Sequence, residues 1–265
     1  MSSFLERSLS GLVYATLFIG AVLYSQESYL ILTSLFAFFC LREFQRLIHF
    51  NSVFTYLLLL GFIAYAVYLP DNPILNQILL VLTLGSSVQL MVYLFTKKRK
   101  YPLKSFQKFD VSVRYLIFSF GFLFLIPFIN GGYEYQIILS LILFIWANDS
   151  FAYLIGKNFG RIKLFKSVSP KKTVEGFIGG VIFTIITGIV VSYYFNNLSM
   201  THWIVLSVIT SVLGTIGDLI ESKFKRQAKK KDSGKIMPGH GGLLDRLDSL
   251  LFVAPFVYLY IHYII

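Results

Sequence analysis

Apolar runs of about hydrocarbon-layer length alternate with short charged connections along this chain, and that alternation leaves few folds open to it. A bilayer core about 30 Å thick takes roughly 20 mostly apolar residues per helical crossing. Nine segments approximate that requirement, near Leu9 to Tyr24, Tyr29 to Leu41, Val53 to Leu69, Ile74 to Phe95, Val111 to Ile129, Tyr135 to Ile155, Gly176 to Phe195, His202 to Ile220 and Leu243 to Ile265. The second is short, and the first two read as a hairpin joined at Ser25 to Ser28; if both only dip into the bilayer, the later topology is unchanged. Composition agrees: 56% of residues are hydrophobic and 14% charged, with a mean hydropathy of +0.70, far from the balance of a soluble domain. The expectation is an all-α polytopic membrane protein. Residues 1–130 form its N-terminal helices, and residues 131–265 form a C-terminal part of helices and polar loops.

Charge orients this array. Lys and Arg fall at Arg7, Arg42 and Arg46, in Lys97 to Lys108, in Lys157 to Lys172 and in Lys223 to Lys235, all on one side of the predicted topology. The opposite connections, around Glu27, Asp71, Glu134 and Asn197, hold none. The positive-inside rule makes the basic side cytoplasmic, with the N-terminus in and the C-terminus out. The first segment follows a weakly basic start with no small-residue cleavage site, so it reads as retained. The Lys97 to Lys108 connection is assigned to topology and lipid attraction alone. Cys40, the single cysteine, sits in an apolar helix and reads as packing. Interfacial placement accounts for His49, His202 and His262.

Carboxylates in such a chain need a reason, because an ionised acid at the bilayer centre costs about 2.5 to 3.5 kcal/mol even on a lenient scale. Asp149, Glu175, Asp218, Glu221, Asp245 and Asp248 all fall near the basic-side ends of predicted helices. Asp218 and Glu221 are three apart at the end of the eighth segment, and Asp245 and Asp248 three apart at the start of the ninth; each pair shares a helix face. Hard oxygens from two neighbouring helices suit Mg²⁺, which takes one or two carboxylates plus substrate phosphates. The plainer reading is ion pairing of Asp245 and Asp248 with Arg246, Lys225 or Arg226.

Between these helices, Pro238 to Gly242 (PGHGG) is not regular helix. Such a turn, through Gly239, Gly241 and Gly242, aims backbone N–H groups at an anion just before a helix start. His240 there suits either donation to a phosphate or a hydrogen bond that fixes the loop. Lys225 and Arg226 read as phosphate contacts, and Lys229 to Lys231 as a solvated basic run. A second polar block, Trp146 to Gly176, carries Asn148, Asp149 and Tyr153 on a helix and then Ser169, Lys171, Lys172 and Thr173. It reads as a second wall of a nucleotide or phosphate pocket.

The string from Ser222 to Asp248 resembles the signature of the CDP-diacylglycerol synthases, also called phosphatidate cytidylyltransferases. It supplies Ser222, Lys225, Arg226, Lys231, Asp232, Gly234, His240, Gly241, Gly242, Asp245, Arg246 and Asp248 in order. Met237 stands where that family usually has leucine, isoleucine or phenylalanine. Asn148, Asp149, Ala152, Tyr153, Gly156, Lys157, Ser169 to Lys171, Glu175 and Gly176 also match its upstream block. The N-terminal half matches only as hydrophobic helices. The resemblance implies a Mg²⁺-dependent enzyme of a bacterial cytoplasmic membrane that forms CDP-diacylglycerol and pyrophosphate from CTP and phosphatidic acid, working as a homodimer. On this expectation Asp218, Asp245 and Asp248 hold one or two cations, Ser222, Lys225, Arg226 and Arg246 contact phosphates, and Lys171 and Lys172 are weaker contacts. Asp149 serves the metal or the nucleotide pocket. Two rivals stand beside this: a CTP-dependent lipid kinase, which would release CDP, and a transporter with an anion gate, which would make no lipid nucleotide.

Overall fold

The structure is a computed structural model that describes residues 3–68, 72–96, 101–102, 104–129 and 131–265, with side chains from residue 9. Asp71 and Lys97 to Lys100, used above to orient the chain, lie outside the described residues, as does the Arg7 side chain. Helix α1 (Ser3–Tyr24) and helix α2 (Gln26–Leu47) are separated by Ser25 alone. Ser25 Oγ accepts from the Ser28 N–H at 3.2 Å, and Ser28 Oγ accepts from the Ser25 N–H at 3.0 Å. This reciprocal cap satisfies two amides that a helix start would otherwise orphan. α2 outruns its expected end at Leu41 because the polar side chains that follow find partners. Gln45 Nε2 donates to Thr55 Oγ1 at 2.5 Å, and Glu43 turns into the protein interior.

Helix α3 (Val53–Tyr68) precedes α4 (Pro73–Phe95). α4 starts where Asn72 Oδ1 accepts from the Leu75 N–H at 3.0 Å and Pro73 occupies the first turn, where its missing N–H costs nothing. The fifth segment, expected as one helix from Val111 to Ile129, is divided. α5 (Ser105–Val111) passes through a π-helical turn (Ser112–Ile117) into α6 (Phe118–Leu125), and a small hairpin of β1 (Phe128–Ile129) and β2 (Gly132–Tyr133) follows. From Ser119 to Leu125 every residue of α6 is buried. A helix apolar all round belongs in the centre of a bundle.

The C-terminal part holds α7 (Tyr135–Phe159), β3 (Lys163–Phe165), β4 (Ser169–Thr173), α8 (Val174–Tyr194), α9 (Met200–Gln227) and α10 (Leu244–Leu259), closed by a π-helical turn (Tyr260–Ile264). β3 and β4 pair antiparallel, Lys163 opposite Thr173 and Phe165 opposite Ser169, where a loop was expected. α9 continues past Ile220 to Gln227, which puts Asp218, Ser222 and Lys225 on one helix. Among the described residues, five helices suffice by length and composition to cross a membrane: Pro73–Phe95, Tyr135–Phe159, Val174–Tyr194, Met200–Gln227 and Leu244–Ile264. Leu9–Tyr24 and Val53–Tyr68 are apolar but shorter. Large apolar side chains such as Leu57, Leu60, Val81, Val88, Ile182 and Ile186 stay exposed along these helices, as lipid-facing surfaces require.

Hydrogen bonds gather the basic connections at one end. Lys108 Nζ donates to His49 O at 3.0 Å, and Lys223 Nζ binds the carbonyls of Tyr93, Leu94 and Thr96 at the end of α4. Arg226 Nε reaches Val168 O in the β3–β4 turn at 3.3 Å. At the other end Tyr133 donates to Val22 O at 2.9 Å, and Asn197 Nδ2 donates to Glu134 Oε2 at 3.3 Å.

Candidate active site

Four elements meet at the basic end. α9 brings Asp218, Glu221, Ser222 and Lys225, spaced three, four and seven residues apart and so sharing one face. α10 brings Asp245, Arg246 and Asp248 within its first turns, α7 brings Asp149, and β4 brings Lys172.

Lys172 Nζ lies 2.5 Å from Asp218 Oδ2, with 27% and 29% of the two side chains exposed, so water and a solute reach the pair. Ser222 donates to Asp218 Oδ1 at 3.1 Å. Asp149, exposed on α7, lies within electrostatic reach of Lys172, Asp218 and Arg246. Asp248, buried one turn into α10, interacts in the same way with Asp218, Lys225 and Asp149. Burial pulls the Lys172 ammonium toward deprotonation, but the bonded Asp218 carboxylate outweighs it and holds its pKa above the usual lysine value.

The strand explains why two adjacent lysines part company. Successive side chains on β4 point to opposite faces, so Lys172 enters the cluster while Lys171 is exposed. The weaker contact expected of Lys172 becomes central; Lys171 does not join.

Asp245 holds the loop together. Its Oδ1 accepts from Lys225 Nζ at 2.7 Å, and its Oδ2 accepts from the Ser233 N–H and Ser233 Oγ at 2.9 Å each and from the Gly242 N–H at 2.7 Å. Lys225 also pairs with Glu221, fully buried one turn before it on α9. Gly239 and Gly241 take φ of 71° and 95°, the left-handed region that side chains disfavour, which lets the turn fold back with Met237 N–H donating to Gly241 O at 2.9 Å. His240 takes the loop-fixing option. Its Nδ1 lies 2.7 Å from Ser10 Oγ on α1, which also donates to Pro238 O at 2.8 Å. Arg246 Nη2 donates to His240 O at 2.9 Å, steadying the same turn from the exposed side.

Three expectations are corrected. Asp218, Asp245 and Asp248 do not converge on one ligand point: among the described residues no three of His, Cys, Asp and Glu group closely enough to hold a metal ion. The reason is that Lys172 and Lys225 stand among them, each bonded to a different acid. Arg226 does not join the phosphate contacts, since it bonds Val168 O and, through Nη1, Lys230 O at 3.1 Å. Asn148 turns inward, buried with Nδ2 donating to Thr215 Oγ1 at 3.3 Å, so it joins α7 to α9 and does not line the exposed pocket.

The site also contains residues that sequence reasoning missed. Glu43 of α2 is buried against the α10 N-terminus, and Ser233 bridges Glu43 and Asp245. A lone acid just beyond an apolar run was the available signal for Glu43, masked by the arginines Arg42 and Arg46 beside it.

Around part-exposed Asp218 the carboxyl groups of Asp149, Glu221, Asp245 and Asp248 stand among three cations, Lys172, Lys225 and Arg246. Asp218, a part-exposed hard oxygen donor, fits a divalent cation such as Mg²⁺ that takes one or two carboxylates and completes its shell from phosphates and water.

A sequence model described as "Cytidylyltransferase family" matches residues 5–264. Proteins named phosphatidate cytidylyltransferase are similar across almost the whole chain. That of Staphylococcus aureus (strain COL) is 35% identical over 253 residues, covering 94% of this chain and 95% of its own. That of Staphylococcus saprophyticus is 32% identical over 252 residues with the same coverage. In Staphylococcus epidermidis the similarity is 42% over 147 residues, 55% of each chain.

Proposed function

The chain belongs to the cytidylyltransferase family, and from that membership we propose how its residues carry out the reaction. It is a nucleotidyltransferase of phospholipid biosynthesis, an integral protein of a bacterial membrane that makes CDP-diacylglycerol and pyrophosphate from CTP and phosphatidic acid. The observation that carries the assignment of the site is the meeting of Lys172, Asp218, Asp149 and Asp248 from four elements at the basic end.

In this reading one phosphate oxygen of phosphatidic acid forms the new bond to the α-phosphorus of CTP, and the bond from that phosphorus to the β-phosphate bridging oxygen breaks, releasing pyrophosphate. The attacking phosphate is anionic at neutral pH, so no general base is needed. The barrier comes from bringing two anions together and from charge growing on the leaving group. Lys172, Lys225 and Arg246 are fixed cations placed before the reaction begins, and preorganised charge of this kind contributes most when it does not have to move. Asp218, part-exposed, is the acid that would hold Mg²⁺, with phosphates and water supplying the rest of its shell. When bound, that ion neutralises phosphate charge and acts as a Lewis acid. Ser222 orients Asp218, and the turn of Gly239 to Gly242, whose Gly241 and Gly242 N–H groups bond to Met237 O and Asp245 Oδ2, seats Asp245 at the start of α10.

The basic end lies on the cytoplasmic side, by the positive-inside rule. CTP reaches it from water while phosphatidic acid presents its headgroup from the inner leaflet. We place the N-terminus inside and the C-terminus outside, with α1, α2, α3 and the α5–α6 segment joining the five long helices in a nine-segment array, and the chain acting as a homodimer. The test is purified protein in liposomes with phosphatidic acid, Mg²⁺ and CTP labelled at either the α- or the γ-phosphate. α-Label in the lipid and γ-label in pyrophosphate are expected. γ-Label in the lipid, with CDP released, would mean phosphoryl transfer instead.

A further inference from the structure

A carboxylate from the second helix is driven into the loop before α10, about two hundred residues away in sequence. Glu43 is 3% exposed. Its Oε2 accepts from the Leu244 N–H, the first residue of α10, at 2.9 Å and from Ser233 Oγ at 3.3 Å. Ser233 Oγ also lies 2.9 Å from Asp245 Oδ2, so its one proton is shared between the two carboxyl groups and couples Glu43 to the acid that holds Lys225. The fit is close enough to exclude side chains on the loop. A Cβ on Gly234 would overlap Glu43 Oε1, and one on Gly242 would fall 2.5 Å from Glu43 Oε2 and 2.7 Å from the Gly234 backbone nitrogen.

A buried carboxylate costs several kcal/mol unless its partners repay it, and simpler ways of capping a helix exist in the loop itself. We propose that Glu43 is a positioning residue for the cytidylyl transfer. It acts as a fixed acceptor on α2 that sets the start of α10 and, through Ser233, the orientation of Asp245 and hence of Lys225. This rests on placing the reaction at the α9–α10 face. Glu43 touches no substrate in this scheme. It transmits the position of the N-terminal helices to the cluster and so gives those helices a part in the chemistry beyond spanning.

What the role demands of Glu43 is an acceptor oxygen, and charge is dispensable. The experiment compares the full-length native protein with Glu43→Gln and Glu43→Ala in detergent micelles and in liposomes, measuring CDP-lipid formation at varied CTP and varied phosphatidic acid alongside thermal stability. Glu43→Ala is expected to lower kcat/KM for CTP by about a hundredfold, the scale of an ångström of misplacement at a reacting centre, in protein that still elutes as a folded species. Glu43→Gln keeps an oxygen for Leu244 N–H and Ser233 Oγ and is expected to recover most of that loss. If alanine lowers only the unfolding temperature while folded protein turns over CTP normally, Glu43 is a structural cap and the proposal fails. If glutamine is as impaired as alanine in folded protein, charge is being used and the proposal also fails. Should alanine not fold, Ser233→Ala removes the hydroxyl that joins Glu43 to Asp245 while both carboxyl groups stay in place, and it is held to the same split: lowered kcat/KM for CTP in folded protein supports the proposal, and unchanged turnover overturns it. Absence of CDP-lipid from the native protein would instead refute the assigned reaction.

Discussion

Asp245→Asn separates the two jobs that the structure gives one carboxylate. Oδ2 binds three donors of the loop, and Oδ1 binds Lys225 at 2.7 Å. Asparagine keeps one carbonyl oxygen. Placed in the Oδ2 position it satisfies Ser233 and Gly242 as before, and its amide then meets the Lys225 ammonium donor to donor. The loss is one charge-assisted hydrogen bond, worth about 1.5 to 3 kcal/mol, because Lys225 retains Glu221. That corresponds to roughly 3 to 12 °C in the unfolding midpoint of a chain this size, small enough for the protein to assemble. Asp245→Ala strands all three donors, at about 1 to 3 kcal/mol each, and is expected not to accumulate. Function is read by titrating Mg²⁺ against CDP-lipid formation at saturating CTP. Because both Asp245 oxygens are engaged by Lys225 and the loop, the substitution acts on the cation only from its outer shell, through the seating of Lys225, and is expected to raise the half-maximal Mg²⁺ concentration by the roughly 10- to 100-fold that removal of an outer-shell partner costs. Native turnover with a native Mg²⁺ titration in Asp245→Asn would remove Asp245 from the cation's surroundings and leave it as a loop anchor alone.

Other outcomes follow from the same geometry. Lys172→Met removes a pair that is more than a quarter exposed, so stability is expected to change by less than about 1 kcal/mol, while kcat/KM for CTP falls by about 10²- to 10³-fold, the scale of losing one preorganised donor. Because the Lys172 pKa is raised in the folded protein, its pairing with Asp218 is fully present below the free lysine value of about 10.4 and is lost only as pH rises through the higher folded value. The alkaline limb of the pH–rate profile is therefore expected above about pH 10; a limb near neutrality that vanishes in Lys172→Met would contradict this. Lys225→Met leaves Glu221 and Asp245 without their shared cation at a buried position, and about 3 to 5 kcal/mol of stability is expected to go, measured as thermal aggregation in detergent. Arg226→Ala removes the bonds to the Val168 and Lys230 carbonyls, so turnover is expected within about threefold of native, the range of a surface substitution; a hundredfold loss would return Arg226 to the phosphate contacts.

The helices were legible because hydropathy is a local property. Each apolar run needs only its own residues to declare itself, and α4, α7, α8 and α9 lie close to where their runs predict. Boundaries failed where polar residues found distant partners. α2 runs on to Leu47 because Gln45 meets Thr55 and Glu43 meets α10. α9 runs on because Lys223 is held by the carbonyls ending α4. The chemistry of the Ser222 to Asp248 string was equally visible, since ordered acids, lysines and a glycine turn within twenty-seven residues constrain what such a segment binds.

Residue type and spacing named the acids and the basic side of this protein, for those depend on neighbours along the chain. Which lysine faces which acid, why Lys172 enters while Lys171 stays outside, and why Glu43 belongs with α10 were settled by packing. Strand alternation places the two lysines on opposite faces, and the meeting of α2 with the 232–244 loop joins residues about two hundred positions apart. An ion pair depends on separation in space, and linear order carries that information only within a few turns of one helix.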